Sequence, residues 1–174
     1  LGRRGGYTEL SDEDCNRQYS LICSLLSEAG YEHYEISNWA LPGMRAMHNS
    51  AYWTRAPYVG LGPGAHSLRE GNFRSWNSPA LTGWTPDCEV LTETEILEER
   101  IMLGLRTMEG IPADLLGAAG GAGPVAALAS APGGPATDRQ RYIDLLAPSA
   151  IPGNLRIPED LWFTSDDIIS GLLA

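Results

Sequence analysis

Apolar residues recur at three- and four-residue steps from Cys15 through Tyr19, Ile22, Cys23, Leu26 and Ala29, which predicts a helix over residues 11–29 with one apolar stripe. Ser11 with Asp14 forms a capping-box-like start, and Gly30 is a stop. Tyr31 to Ser37 is short, rich in aromatic residues and well bounded, so it predicts a strand. A helix running straight into a strand is half of a βα repeat. Residues 38–58 hold Pro42, Gly43 and Pro57 and follow neither period, which predicts a long ordered loop, a kind that is usually functional. Tyr58–Leu61 predicts a second short strand leading into the turn Gly62-Pro63-Gly64, and Asn72–Trp76 a third, edge-like one.

From Thr92 the pattern returns to a helix of about a dozen residues. Thr92 is its cap, Glu95 completes a capping box, and Ile96, Leu97, Ile101, Leu103 and Leu105 are its apolar positions. Gly110 and Pro112 end it. Residues 117–136 contain six Gly, eight Ala and three Pro, too little bulk for a core, which predicts a flexible or weakly helical insertion. Arg139–Leu146 predicts a short helix. Asn154–Pro158 with Trp162–Phe163 predicts a small hairpin, and Asp166–Leu173, led by Ser165, a last amphipathic helix. Helices followed by a β-wing suggest a small winged-helix-like module.

Composition narrows the function classes. The 174 residues are 43% apolar and 20% charged, which suits a folding chain rather than a disordered one. A formal net charge of -10 opposes the phosphate neutralisation that nucleic-acid binding requires, and Arg156 is the one basic residue after Asn154, so no nucleic-acid partner is expected. No apolar run is long enough for a membrane span and none follows a basic n-region, so a cytoplasmic location is expected. Cys15, Cys23 and Cys88 are odd in number, and eight helical residues separate the first two by roughly 12 Å, too far for a bridge. Reduced thiols in a reducing compartment are therefore expected. The chain opens at Leu1 rather than Met, which raises the expectation that residues belonging before it are missing.

The candidate motifs need weighing. Gly60-Leu61-Gly62-Pro63-Gly64-Ala65 superficially fits a dinucleotide fingerprint, but that fingerprint must open a helix, and Pro63, Ser67 and Gly71 argue against one. The glycines fit a tight turn instead. No histidine pair has the i, i+4 spacing or the Cys or Glu company of a zinc site on one helix. Glu32 and Glu35 sit on opposite faces of a strand, which suits a solvated or salt-bridged role better than an acid–base pair. Cys88, between Asp87 and Glu89, is a poor nucleophile. His48, beside Tyr52 and Trp53, has the chemistry of a haem-iron ligand next to flat rings, although composition alone favours an ordinary loop histidine.

Ala29-Gly30-Tyr31-Glu32-His33-Tyr34-Glu35-Ile36-Ser37-Asn38-Trp39-Ala40-Leu41-Pro42-Gly43 strongly resembles the radical SAM haem chaperone family, the HemW-like relatives of oxygen-independent coproporphyrinogen III oxidase. Three segments agree in order: His48-Asn49-x-x-Tyr52-Trp53, Tyr58-x-Gly60-Leu61-Gly62-x-Gly64-Ala65-His66-Ser67, and Met102-Leu103-Gly104-Leu105-Arg106 with Glu109-Gly110-Ile111. The resemblance covers residues 7–112 closely and resumes over 155–173, while the Gly/Ala/Pro-rich stretch between departs from it.

The resemblance implies an α/β fold: over residues 1–90 the C-terminal part of a radical SAM, TIM-type barrel, and over 91–174 a helical, winged-helix-like domain interrupted by 117–136. Two loops at strand ends, Ser37–Tyr52 and Gly62–Ser67, would then border one cavity. It also implies haem as cargo, a [4Fe-4S] cluster and S-adenosylmethionine in the full-length protein, and a haem-accepting client such as a respiratory enzyme. The family's C-x-x-x-C-x-x-C cluster motif and the glycine-rich segment after it are absent here, so this chain alone is expected neither to hold the cluster nor to cleave S-adenosylmethionine. The missing N-terminal half becomes its partner. The H-N-x-x-Y signature resembles the chaperone branch, which makes His48, Asn49, Tyr52 and Trp53 the haem-binding candidates and His48 the candidate iron ligand. The Gly60–Ser67 segment makes Ala65 and His66 the candidates for S-adenosylmethionine contact. No residue is implied as catalytic. The rival readings are an oxygen-independent coproporphyrinogen III dehydrogenase of porphyrin biosynthesis and a truncated interaction module without cofactor.

Overall fold

The computed structural model describes residues 9–69, 71–82, 85–116 and 136–173. Helix α1 (Asp12–Glu28) starts at Ser11, whose side chain accepts a hydrogen bond from Asp14 N, but none of its residues is buried, and Leu21, Ile22 and Leu25 are exposed. The stripe seen in the sequence is thus only partly used: Cys15, Tyr19, Cys23 and Leu26 are half-buried. Strand β1 (Glu32–Glu35) turns back into β2 (Asn38–Ala40), which pairs antiparallel with it.

The expected loop over 38–58 is therefore structured at both ends, by β2 and by helix α2 (Met47–Trp53). Both elements are too short for periodicity to reveal them. Tyr58–Leu61 is no strand: Tyr58 alone bridges to Leu68, through Tyr58 N–Leu68 O at 2.8 Å and Leu68 N–Tyr58 O at 3.0 Å. A sheet of β3 (His66–Leu68), β4 (Phe73–Asn77) and β5 (Pro86–Val90) follows, in that order. The strand expected at an edge, β4, is the central one because β3 and β5 bond both of its sides.

Helix α3 (Glu93–Gly104) carries the expected capping box, with Thr92 N donating to Glu95 Oε2 at 2.7 Å and Glu95 N donating to Thr92 Oγ1 at 3.3 Å. Strand β6 (Ile111–Pro112) and a 3₁₀ turn (Ala113–Leu116) follow. Helix α4 (Ala136–Ile143), strands β7 (Ala147–Pro148) and β8 (Asn154–Arg156), a 3₁₀ turn (Glu159–Thr164) and helix α5 (Ser165–Leu173) complete the chain. The insertion expected at 117–136 lies outside the described residues up to 135.

The expected hairpin of 154–158 with 162–163 does not form. Strand β8 instead lies between β6 and β7, and Trp162 and Phe163 belong to the 3₁₀ turn, where the indole is turned into the core. The chain mixes helix and strand, as an α/β chain should. All pairings among the described residues are antiparallel, so the βα half-repeat read from α1 and β1 closes into no parallel pair within them.

The apolar core is C-terminal. Leu97, Ile101, Leu105, Ile111, Leu116, Ile157, Trp162, Ile168, Ile169 and Leu172 pack together from α3 and the residue after it, β6, the two 3₁₀ turns, the residue after β8 and α5. Gly110 lets β6 meet β8: it has φ +66, and a Cβ there would stand 2.1 Å from Leu155 O. Gly110→Ala should therefore destabilise the chain by at least about 2 kcal/mol, since it combines a left-handed backbone with a backbone clash. Thr92→Ala, which removes one exposed cap, should cost only about 1 kcal/mol. Urea midpoints of the two variants, converted with a common slope, check the order.

Candidate functional site

The site is organised around a carboxylate with no exposed surface. Glu35, at the end of β1, is 0% exposed. It accepts hydrogen bonds from Ser37 N at 3.1 Å, from Asn38 Nδ2, and from Asn49 Nδ2 at 3.2 Å. The first two donors come from the turn into β2, the third from α2. The other edge of β1 is joined to the connection after α3, through Ile36 N–Arg106 O at 2.9 Å, Met108 N–Tyr34 O at 3.1 Å and a bridge between Glu35 and Thr107. Glu35 thus links β1, β2 and α2 at the margin of the C-terminal core. Glu32, three residues earlier, is ion-paired with Arg45 at 3.3 Å, and Arg45 also holds Glu109 at 2.5 Å. The salt-bridged reading fits Glu32. For Glu35 a solvated or ion-paired role is incorrect, because neutral amide and backbone donors surround its carboxylate.

This link divides the four haem-binding candidates into two i, i+4 pairs on adjacent faces of α2, about 100° apart around the helix. Asn49 and Trp53 point inward: Asn49 reaches Glu35, and Trp53 lines a cleft of about 230 Å³ with Tyr34, Glu35 and Thr107, its indole N–H buried without a partner. His48 and Tyr52 point outward, with Tyr52 Oη and His48 Nε2 3.2 Å apart and their rings edge-to-face at 5.1 Å. Tyr58 stacks edge-on against Tyr52 at 4.8 Å, extending the aromatic surface. Met44 and Met47, on the approach to and first turn of α2, are 76% and 87% exposed, and Val59 and Leu61 follow Tyr58 just as openly. An exposed imidazole among flat and apolar groups has the chemistry to ligate haem iron against a porphyrin face. Exposed apolar groups in such number mark a binding surface.

Beneath that surface, Glu99 of α3 holds Arg55 at 2.8 Å and also pairs with Arg74 of β4, which reaches Glu89 at 2.5 Å. Arg55 has φ 55, a left-handed backbone just past α2. These ion pairs tie α2 to α3 and the β3–β4–β5 sheet.

Ala65 and His66 lie across the Gly60–Ser67 turn. The turn has the tight geometry expected and opens no helix. A Cβ on Gly60 would stand 2.0 Å from His66 O, and Gly60 N donates to Ser67 Oγ at 2.9 Å. His66 is exposed and stacks on Trp76 at 5.9 Å, while Asn77 N donates to Ala65 O at 3.0 Å. His66 stands at the start of β3, and His48 lies on α2.

A second constellation escaped sequence reading because three separate elements build it. Cys23 of α1, His33 of β1 and Glu159 of the last 3₁₀ turn bring a sulfur, a ring nitrogen and a carboxylate oxygen within 4.8 Å of one another. Burial holds the His33 pKa below its usual value, against the opposing pull of Glu159, and burial followed by the charge of Glu159 raises that of Cys23. Among the described residues no three cysteines converge. No described helix is long and apolar enough to cross a membrane.

Comparison with known proteins shows what the chain is similar to. It is 35% identical over 117 residues to "Heme chaperone HemW" of Lactococcus lactis subsp. lactis (strain IL1403), covering 63% of this chain and 31% of that protein. It is 35% identical over 127 residues to "Heme chaperone HemW" of Mycobacterium tuberculosis (strain CDC 1551 / Oshkosh), covering 67% and 32%. A third relative, "Radical S-adenosyl methionine domain-containing protein 1, mitochondrial" of Bos taurus, is 38% identical over 105 residues, covering 51% and 24%. The chain thus spans about a third of the length of the first relatives it matches. No family model matches the chain, and no solved structure matches it.

Glu35→Ala should strand Asn38, Asn49 and the Ser37 N–H in a buried space and cost about 3 kcal/mol, while Glu35→Gln, which keeps one acceptor oxygen, should cost about half as much. Chemical denaturation of both variants tests this, and equal losses would contradict the assignment of Glu35 as a shared acceptor.

Proposed function

From the kinship of this chain with the HemW-like radical SAM family, we propose that it is the haem-handling, C-terminal part of a haem chaperone that carries haem to a client protein such as a respiratory enzyme. The carrying observation is the exposed His48–Tyr52 pair on a helix fixed from behind by the Asn49–Glu35 hydrogen bond. His48 ligates the iron and Tyr52, backed by Tyr58, lies against the macrocycle. Asn49 and Trp53 serve the same site from inside, by setting the rotation of α2. Haem here is cargo, and its release to a client is easier from one exposed imidazole on a surface helix than from an enclosed pocket.

In the complete protein, as we read it, the [4Fe-4S] cluster and most contacts to S-adenosylmethionine belong to a barrel portion outside this chain, with Ala65 and His66 contributing the remaining contact. That cofactor pair supplies radical chemistry when bound. The chain's own part is to position the haem surface. The β1–β2 hairpin and the Gly60–Ser67 turn are then the rim of the barrel and residues 91–174 its C-terminal winged-helix-like domain, in a cytoplasmic protein. The H-N-x-x-Y signature favours this reading over an oxygen-independent coproporphyrinogen III dehydrogenase.

Titration of haem by visible absorption into the full-length protein tests the proposal. Saturable binding should weaken at least about tenfold in His48→Ala, which removes the iron ligand, and by less in Tyr52→Phe, which keeps the ring. Equal binding by wild type and His48→Ala would remove His48 as ligand, and turnover of coproporphyrinogen would overturn the chaperone reading.

A further inference from the structure

The haem proposal uses neither His33 nor α1, yet the most chemically concentrated point of the chain lies between them. His33 is a fixed ring: its side chain is 2% exposed, stacked on Trp39 at 4.0 Å and meeting Trp162 edge-on at 4.3 Å. Its Nδ1 faces Glu159 Oε1 at 2.9 Å, and the Cys23 sulfur, a ring nitrogen of His33 and a carboxylate oxygen of Glu159 all lie within 4.8 Å of one another. A neighbouring polar atom, His33 Nε2, is buried without a hydrogen-bond partner among the described residues, and the Tyr19 hydroxyl, one turn before Cys23 on α1, lies buried beside the Cys23 thiol. A cleft of about 470 Å³, lined by Tyr19, Cys23 and Glu159 among others, leads to the cluster from solvent.

We propose that Cys23, His33 and Glu159 form a binding site for a divalent transition-metal ion of the zinc class. One thiolate, one imidazole and one carboxylate are the ligand types that zinc takes, and three protein ligands leave a fourth position for water from the cleft. The separations suit the purpose: the atoms are close enough for one ion to draw them together, and the His33 ring needs no reorientation because the indoles already hold it. On binding, His33 ligates as the neutral imidazole, its one proton moving to the ring nitrogen that does not face the ion, Glu159 ligates as the carboxylate, and the Cys23 thiol releases its proton to solvent.

The site also has a structural logic. Helix α1 has no buried residue and meets the rest of the described chain mainly at β1 and the 159–164 turn, the two elements that supply the other ligands. A bound ion would fasten α1 to the C-terminal core where apolar packing does not.

Cobalt(II) is the probe, added under reducing, oxygen-free conditions to the 174-residue chain. The expected result is one saturable equivalent with a thiolate-to-cobalt charge-transfer band and tetrahedral d–d bands, displaced by zinc. The band should vanish in Cys23→Ser, weaken at least about tenfold in Glu159→Gln, and persist in Cys15→Ser and Cys88→Ser. Zinc should raise the melting temperature of the wild type and leave that of Cys23→Ser unchanged. No saturable thiolate band, a band that survives Cys23→Ser, or one that depends on Cys88 would overturn the proposal. So would equal affinity in Glu159→Gln. None of these outcomes touches the haem reading, which rests on His48 and Tyr52 of α2.

Discussion

A buried carboxylate must find donors or a counter-charge, and among the described residues Glu35 has only neutral donors: two amide side chains and one backbone N–H. That requirement fixes the local architecture. Satisfying Glu35 bends the chain from β1 into β2 within two residues and brings α2 back across β1 with Asn49 inward. In a helix of seven residues without a side-chain cap, this one bond selects which face is presented. Since side chains four apart share a face, turning Asn49 and Trp53 in turns His48 and Tyr52 out.

The rest of the molecule supports that node from two sides. Behind β1, the connection from Arg106 to Met108 extends the pairing and leads into the apolar core, where Trp162 and Ile168, Ile169 and Leu172 of α5 are closed to solvent. Beneath α2, Glu99 gathers Arg55 and Arg74 in largely buried ion pairs that tie the helix to α3 and the sheet. Helix α1 stands outside both supports. Its partly unused apolar face and its polar contact at Cys23 make it the element most open to an added constraint.

Legibility in the sequence followed the range of the interactions involved. The helices α1, α3 and α5 were readable because periodicity and caps are local, and the Thr92–Glu95 box is present as read. The short strands were not: β4 lies centrally rather than at an edge, and the 162–163 pair became a 3₁₀ turn, since pairing partners and the pull of a core on Trp162 are long-range facts. His48 and Tyr52 emerged from the motif, and the structure brings them together on one face. That Asn49 works from the inward face, through Glu35, depends on a contact fourteen residues away, and a strand-face argument assigned Glu35 a solvated or salt-bridged role. The Cys23, His33 and Glu159 cluster spans more than a hundred residues and left no spacing signal.

The central claim is that the Glu35 to Asn49 hydrogen bond sets the orientation of α2. A double-mutant cycle on unfolding free energy, with Glu35→Ala, Asn49→Ala and the pair, measures it directly. The account predicts a coupling of about 1–3 kcal/mol, because removing either partner already removes the shared bond. Additive losses, with coupling near zero, would contradict it and leave α2 to be positioned by its ion pairs alone.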